Sequence, residues 1–324
     1  MTDWMNTDSG QWVEAIGKSD RLAVATALNL IDDRRPVKQP EVGKLFAALE
    51  TTGQYEKGHV VGITGPPGAG KSSLASAMAE NWLKDGYSVG IIAIDPSSPF
   101  SGGALLGDRL RMTRSDPHNG LFIRSLSSRG EKGGLSPQAW PMSRVLLAGY
   151  DIVIIETVGV GQSEIDVSHM ADTTCLVVQP GSGDTIQFLK AGIMEIPDIL
   201  AVNKADLGHI ATSTADELRL ALPDSDDTES WKVGVEVVSA SHHTGIDKLS
   251  DSVLNHRKWL AEHNGLEDCR KRSEAAWGVK RLLEQFGQYG LEQLGGDDQI
   301  IDKWIGLTGS PYEKLESFVK TLVK

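Results

Sequence analysis

Cysteine is almost missing from this chain: 324 residues hold two, Cys175 and Cys269. So small a number excludes a disulfide-built scaffold and suits a reducing compartment, with both thiols read as small buried hydrophobes. Positive charge is also short. Thirty-two Lys and Arg face 44 Asp and Glu, a formal net charge of −12, which argues against nucleic acid or an anionic membrane surface as a main partner. No apolar run approaches the length of a membrane span. The opening residues Met1–Asp8 are acidic and polar, unlike a signal peptide or an Arg-rich transit peptide. There is no repeat of fixed period and no low-complexity tract. What is present is ordinary: 40% apolar and 23% charged residues, enough for a packed core in a cytoplasmic protein.

Against that background one stretch stands out, Gly65-Pro66-Pro67-Gly68-Ala69-Gly70-Lys71-Ser72-Ser73. It follows the apolar run His59–Thr64 and opens the helical pattern Ser73–Leu83. Strand, glycine loop and helix together are the context of a phosphate site. Glycines let backbone N–H groups close around an anion, and a helix N-terminus adds partial positive charge. Lys71 then serves the β- and γ-phosphates, and the Ser72 hydroxyl serves Mg²⁺.

Around this motif the pattern is α/β. Apolar runs at 59–64, 88–94, 121–125, 151–155, 173–179, 198–202 and 233–238 read as strands, several of them apolar on both faces. Such strands belong to a mostly parallel sheet covered by helices. Helices are expected at 72–84, 137–148, 184–195, 212–221 and 246–262. Helical spacing of Trp12, Ile16, Leu22, Ala25, Leu28 and Ile31 predicts one helix over 11–31, with a second piece near Val42–Leu49. Past Asn264-Gly265 the strands stop and three amphipathic helices follow. The expected division is an N-terminal helical extension (1–55), a nucleotide-binding domain (56–262) and a C-terminal helical arm (263–324). The apolar stripes of that arm need a surface, either the sheet domain or a second subunit.

Three further motifs occur in the order a GTPase requires. Asn203-Lys204-Ala205-Asp206 follows the strand at 199–202. A carboxylate at a strand end can accept both the ring N–H and the exocyclic amine of guanine, a donor pair adenine lacks. Asn203 is expected to tie neighbouring loops, and the Lys204 stem to cover the base. Ser239-Ala240 follows the next strand and offers a backbone N–H to the guanine O6. Glu156-Thr-Val-Gly159 stands where most GTPases carry Asp-x-x-Gly, whose acid holds Mg²⁺ and whose glycine N–H senses the γ-phosphate. Val160 occupies the place of the water-orienting Gln of Ras-like proteins, so intrinsic hydrolysis is expected to be slow. Asp95, at the end of the strand 88–94, and Asp108, after a glycine-rich loop, are further candidates for the metal shell or for polarising water. The pair His242-His243 points apart and finds no other Cys or His to complete a metal site.

These residues resemble the MeaB/ArgK family of P-loop GTPases, whose animal members are the methylmalonic aciduria type A proteins. The resemblance rests on Gly65–Ser73, Asp95-Pro-Ser-Ser-Pro99, Gly107–Met112, Glu156–Glu164, Gln179-Pro-Gly-Ser-Gly-Asp184 with Gln187 and Lys190, and Asn203–Asp206. It is dense over about residues 60–210. It implies a P-loop GTPase fold, GTP/GDP and Mg²⁺ as ligands, and a C-terminal arm that forms a homodimer. It also implies a role as GTP-dependent chaperone of an adenosylcobalamin-dependent acyl-CoA mutase of the methylmalonyl-CoA mutase type, gating cofactor loading and protecting the mutase. In the family, Gln179–Glu195 corresponds to a switch that communicates with the mutase. One departure is Ser239-Ala-Ser-His-His-Thr-Gly245, where relatives commonly read Ser-Ala-Leu-Thr-Gly-x-Gly.

Three other readings compete. A metallochaperone-type GTPase usually carries Cys-x-x-Cys or a His-rich tail, and neither is here. An ArgK-like transport-associated ATPase or kinase conflicts with the guanine motif. A nucleotide-regulated scaffold, in which binding and not turnover is the function, remains open because the Ras-like Gln is missing.

Overall fold

The computed structural model describes residues 4, 7–53, 58–95, 120–127, 136–157, 163–181, 196–222 and 230–323, with the side chains of 95 and 163–165 left aside. The chain divides into two compact units. One gathers Met1–Gly58, Pro137–Asp151 and Glu267–Lys324; the other gathers His59–Ser136 and Ile152–Leu266.

The second unit is built on seven strands: β1 (His59–Thr64), β2 (Val89–Asp95), β3 (Leu121–Ser127), β4 (Ile152–Glu156), β5 (Thr173–Val178), β6 (Ile199–Val202) and β7 (Gly234–Val237). Their order is β3-β2-β4-β1-β5-β6-β7, and every pairing is parallel. The doubly apolar strands have the expected cause. Cys175, Val177, Ile199 and Ala201 face one core, shared with Leu74, Met78 and Trp82 of the helix Lys71–Lys84 and with Leu249 and Val253 of the helix Ile246–Glu262. The alternate residues Leu176, Val178, Leu200 and Val202 face another, closed by Ala211, Ala215 and Leu218 of the helix His209–Ala221. A strand with helices on both sides has no face left for polar residues.

Polar residues therefore collect at the strand ends. At the amino ends they are buried and tied to one another. The Asp172 carboxylate accepts from the Val60 N–H at 2.8 Å and lies 3.6 Å from His59 Nδ1. His59 Nε2 meets Thr173 Oγ1 at 2.7 Å, and Thr173 Oγ1 meets His256 Nδ1 at 2.8 Å. His256 Nε2 stands 3.5 Å from Asp198, and the Trp231 ring packs on the imidazole at 4.6 Å. Burial drives the His256 pKa down to about 4, against a weaker pull upward from Asp172, and pushes Asp198 up to about 6. Cys175 lies wholly inside, its thiol pushed up to about 12 by burial. Cys269 is part-exposed, and the two form no disulfide.

The first unit is helical, and its opening corrects the reading of one helix over 11–31. Two helices form, α1 (Ser9–Gly17) and α2 (Arg21–Asp32), each capped by an aspartate, Asp8 and Asp20. Between them Ser19 adopts φ +58°. The break rotates the second helix, so Ala23, Val24, Ala27, Leu28 and Ile31 are buried while Leu22 is exposed and Ala25 only half-buried. A single helical period drawn through the break misplaced Leu22 and Ala25, while Trp12, Ile16, Leu28 and Ile31 are buried as expected. The helix α3 (Gln39–Thr52) follows.

The remaining members of this unit are the helices Ala139–Gly149, Gly265–Gln293 from Glu267 onward, Asp297–Ile305 and Pro311–Leu322. The longest is interrupted at Gly287, whose φ of +65° and ψ of −175° are not helical. Aromatic rings form the core: Trp140 stacks on Trp277 at 4.9 Å, Phe46 meets Tyr312 at 5.0 Å, and Trp304 stacks on Phe318 at 5.5 Å. Trp277 Nε1 donates to the Pro137 carbonyl and Trp304 Nε1 to Glu274, which also pairs with Lys314. Part of the apolar stripe of the terminal helices is thus covered by the chain's own N-terminal and middle helices. Tyr289, Ile305 and Leu307 stay exposed. Among the described residues no helix is long and apolar enough to cross a membrane.

Candidate nucleotide site

Because all seven strands are parallel, every strand-end motif singled out in the sequence emerges at one edge of the sheet. Register makes this concrete: Ile63 pairs with Glu156, Thr64 with Leu176, Val178 with Val202, and Val202 with Val237. The central strand β1 delivers the glycine loop between β4 and β5, where the chain's direction of winding reverses. Ligands of open α/β sheets bind at such a point, outside the carboxyl ends of the strands.

The loop from Gly65 to Gly70 has the backbone that its composition predicts. Gly65 has φ +140°, and a Cβ there would lie 2.2 Å from the Val177 carbonyl oxygen, so only glycine passes β5. Gly70, at φ +90°, leaves room for the Asn203 amide, which a Cβ would meet at 2.4 Å. Gly70 is also the N-cap of the helix Lys71–Lys84, which has no side-chain cap. The N–H groups of its first turn are left to an anion. Lys71 is nearly buried, and its ammonium donates to the carbonyls of Gly65 at 2.9 Å and Pro66 at 3.1 Å. This places the charge at the mouth of the loop. Pro66, Pro67, Gly68, Ala69 and Ser73 complete the same turn and helix start.

Ser72 and Glu156 meet directly, the serine hydroxyl donating to Glu156 Oε1. They come from the helix after β1 and the end of β4, and Glu156 is 6% exposed. A hydroxyl beside a nearly buried carboxylate is an all-oxygen donor set, the kind a hard divalent cation takes. The residues present therefore fit Mg²⁺. Asp95 ends β2 at the same edge, but its side chain, like Asp108 and Gly159, lies outside the described residues. Among those described, no three His, Cys, Asp or Glu side chains gather as a metal cluster. His242 and His243 do point apart: His242 Nδ1 is 3.7 Å from Asp206, whereas His243 faces Glu80.

At the base end, Asn203 is a buried clamp. Its Nδ2 donates to the Ala69 carbonyl at 2.8 Å, and its Oδ1 accepts from the Ala240 N–H at 3.1 Å. One amide thus joins the phosphate loop to the loop after β7. Ala240's N–H, expected at the guanine O6, is engaged by Asn203 in this structure. Asp206 sits at the rim, its Oδ1 accepting from the Ser239 hydroxyl at 2.6 Å. That hydrogen bond, above the smaller influences of its own backbone N–H, His242 and Lys204, holds the carboxyl below its usual range, so it is charged at neutral pH. Lys204 has left-handed backbone, φ +63°, and its ammonium donates to Gln179 Oε1 at 2.9 Å. The sequence reading missed this last contact, and missed His242 beside Asp206. Both pairs are long-range or loop-made, and spacing alone carries no signal for them.

The model of the family described as methylmalonyl-CoA mutase-associated GTPase MeaB matches residues 24–288. The chain belongs to the MeaB family. A putative GTPase of Pyrococcus horikoshii is 42% identical over 319 residues, 96% of this chain and 97% of its own length. A mitochondrial methylmalonic aciduria type A homolog of Caenorhabditis elegans is 35% identical over 291 residues, covering 84% of this chain and 72% of that protein. Among solved structures, an LAO/AO transport system kinase aligns over 98% of this chain and 99% of its own, with a TM-score of 0.67 and 24% identity; this likeness bears on fold alone. Like the rest of the MeaB family, the chain is a P-loop GTPase with a parallel sheet flanked by helices.

Proposed function

We propose that this MeaB-family GTPase is a GTP-dependent chaperone of an adenosylcobalamin-dependent acyl-CoA mutase, of the methylmalonyl-CoA mutase type. It gates cofactor loading and protects the mutase. The observation that carries the reading is the family match over residues 24–288, supported by the coherence of the site at the sheet's carboxyl edge. Under this reading the loop Gly65–Ser73 cradles the phosphates, with Lys71 turning from the loop carbonyls toward the β- and γ-oxygens. Ser72 and Glu156 hold Mg²⁺, with Asp95 and Asp108 in its wider shell. Held by Ser72 and Glu156, the ion would supply positive charge that offsets the negative charge of the phosphates. Asp206, already ionised, accepts the two guanine N–H groups; Lys204 covers the base, and the loop at Ser239-Ala240 closes on its far edge. Gly159 senses the γ-phosphate. Intrinsic turnover is slow, because Val160 has no group able to orient water, and the mutase raises it. The C-terminal helices make a homodimer, for which the exposed Tyr289, Ile305 and Leu307 provide apolar surface.

The test is GTP turnover by the purified protein with and without each cobalamin-dependent mutase of its source. Stimulation several-fold by one mutase is the expected result. No response to any of them, together with unchanged cofactor loading, would overturn the chaperone role.

A further inference from the structure

Gln179 is the first residue beyond β5. Because Val178 and Val202 are register partners, the strand ends bearing Gln179 and Asn203-Lys204 leave the sheet side by side. The left-handed turn at Lys204 brings its side chain back toward β5, and the ammonium finds the Gln179 amide oxygen at 2.9 Å. That oxygen also faces the phosphate loop: a Cβ built on Gly68 would lie 3.8 Å from it. Two residues on, Gly181 at φ +71° lies against Ile210, 3.2 Å from a Cβ placed there to Ile210 Cγ2. The turn 179–181 is therefore seated on the base-reading segment on both sides of Asp206.

We propose that Gln179 is a positioning residue for Lys204, setting how long a guanine nucleotide stays bound. A lysine side chain has four rotatable bonds, and ordering it over a base costs rotamer freedom. A glutamine oxygen that already holds the ammonium removes much of that cost before the nucleotide arrives. The bond is charge-assisted on one side, which makes it stronger than one between neutral groups. It does not touch the hydrogen bonds by which Asp206 tells guanine from other bases. Gln179 thus governs residence time while discrimination stays with Asp206. A change in the turn after β5 would alter nucleotide release through the same bond. This rests on the nucleotide-site assignment proposed above.

The experiment measures dissociation of a fluorescent N-methylanthraniloyl-GDP from the full-length protein, with competition by GTP, ITP and ATP. Gln179→Met keeps the bulk and loses the acceptor; release is expected to quicken about tenfold, with the order of preference among the competitors unchanged. Gln179→Glu retains an acceptor and is expected to release at the wild-type rate or slower. Combining Gln179→Met with Lys204→Ala should release no faster than Lys204→Ala alone. A Gln179→Met rate within twofold of wild type, or effects of the two substitutions that multiply, overturns the inference and leaves the site assignment standing. Wild-type protein that fails to bind the probe, or that binds without preferring guanine, overturns the assignment itself and the inference with it.

Discussion

The two edges of one sheet use polar residues in opposite ways. At the amino edge, Asp172, His59, Thr173 and His256 are buried and linked to one another. At the carboxyl edge, the groups with chemical potential border the nucleotide site: Asp206 stands at the rim, Lys71 donates to the carbonyls of Gly65 and Pro66, and the helix after the loop has no side-chain cap. The difference separates structure from function more sharply than residue type does. A closed polar network spends its hydrogen bonds on the fold. An open one holds them for a ligand, and a buried clamp such as Asn203 fixes the opening.

Breaking that contrast should produce effects of very different size. The largest is expected for Lys71→Ala, which removes the phosphate-facing charge: GTP turnover should fall by about 10²-fold or more while thermal stability changes little. Unchanged turnover would remove the phosphate assignment. Asp206→Asn comes next. Losing a charged acceptor for guanine should weaken GTP by about 10–100-fold and admit xanthosine triphosphate, whose exocyclic 2-oxo group accepts from the new amide donor. Competition binding reads this directly, and a variant that still prefers GTP over XTP would sink the base assignment.

The smallest effect on nucleotide belongs to the amino edge. His256→Gln should leave GTP affinity within twofold and act on stability instead. The folded pKa of about 4 lies below the reference value of 6.5, so between those values the unfolded chain binds the extra proton. The contribution of His256 is therefore present near neutral pH and is lost as pH falls from about 6.5 to 4. Asp198 runs the other way: raised from 3.8 to about 6, it favours the folded state as pH falls through that narrower window. Melting temperatures across pH 4–7 should show a flatter acid limb in His256→Gln. An unaltered limb would show that the buried imidazole is not what acid titrates.

Much of this architecture could be read from residues alone. The doubly apolar strands announced a covered parallel sheet, and the glycine loop and the motif Asn203–Asp206 follow β1 and β6 as their flanking apolar runs predict. The break at Ser19 was less visible, because residues on either side kept roughly helical spacing while the face rotated. The contacts Lys204–Gln179 and Thr173–His256 were not legible either. Each joins residues distant in the chain, and each uses residue types that are unremarkable where they stand. The helix expected over 184–195 lies outside the described residues.

The central position of β1 has a consequence for biosynthesis. The hydrogen-bonding neighbours of this strand lie far downstream: Thr64 meets Thr157 across 93 residues, and Val60 meets Asp172 across 112. Translation at 5–20 residues per second leaves the strand without its second neighbour for roughly 5–20 s. Until β4 follows, a hexapeptide carrying Val60, Val61 and Ile63 has neither edge paired. The Asn203 clamp arrives later still, closing across 134 residues. A nascent chain of this kind spends its vulnerable period before it can recognise the nucleotide that stabilises the finished site.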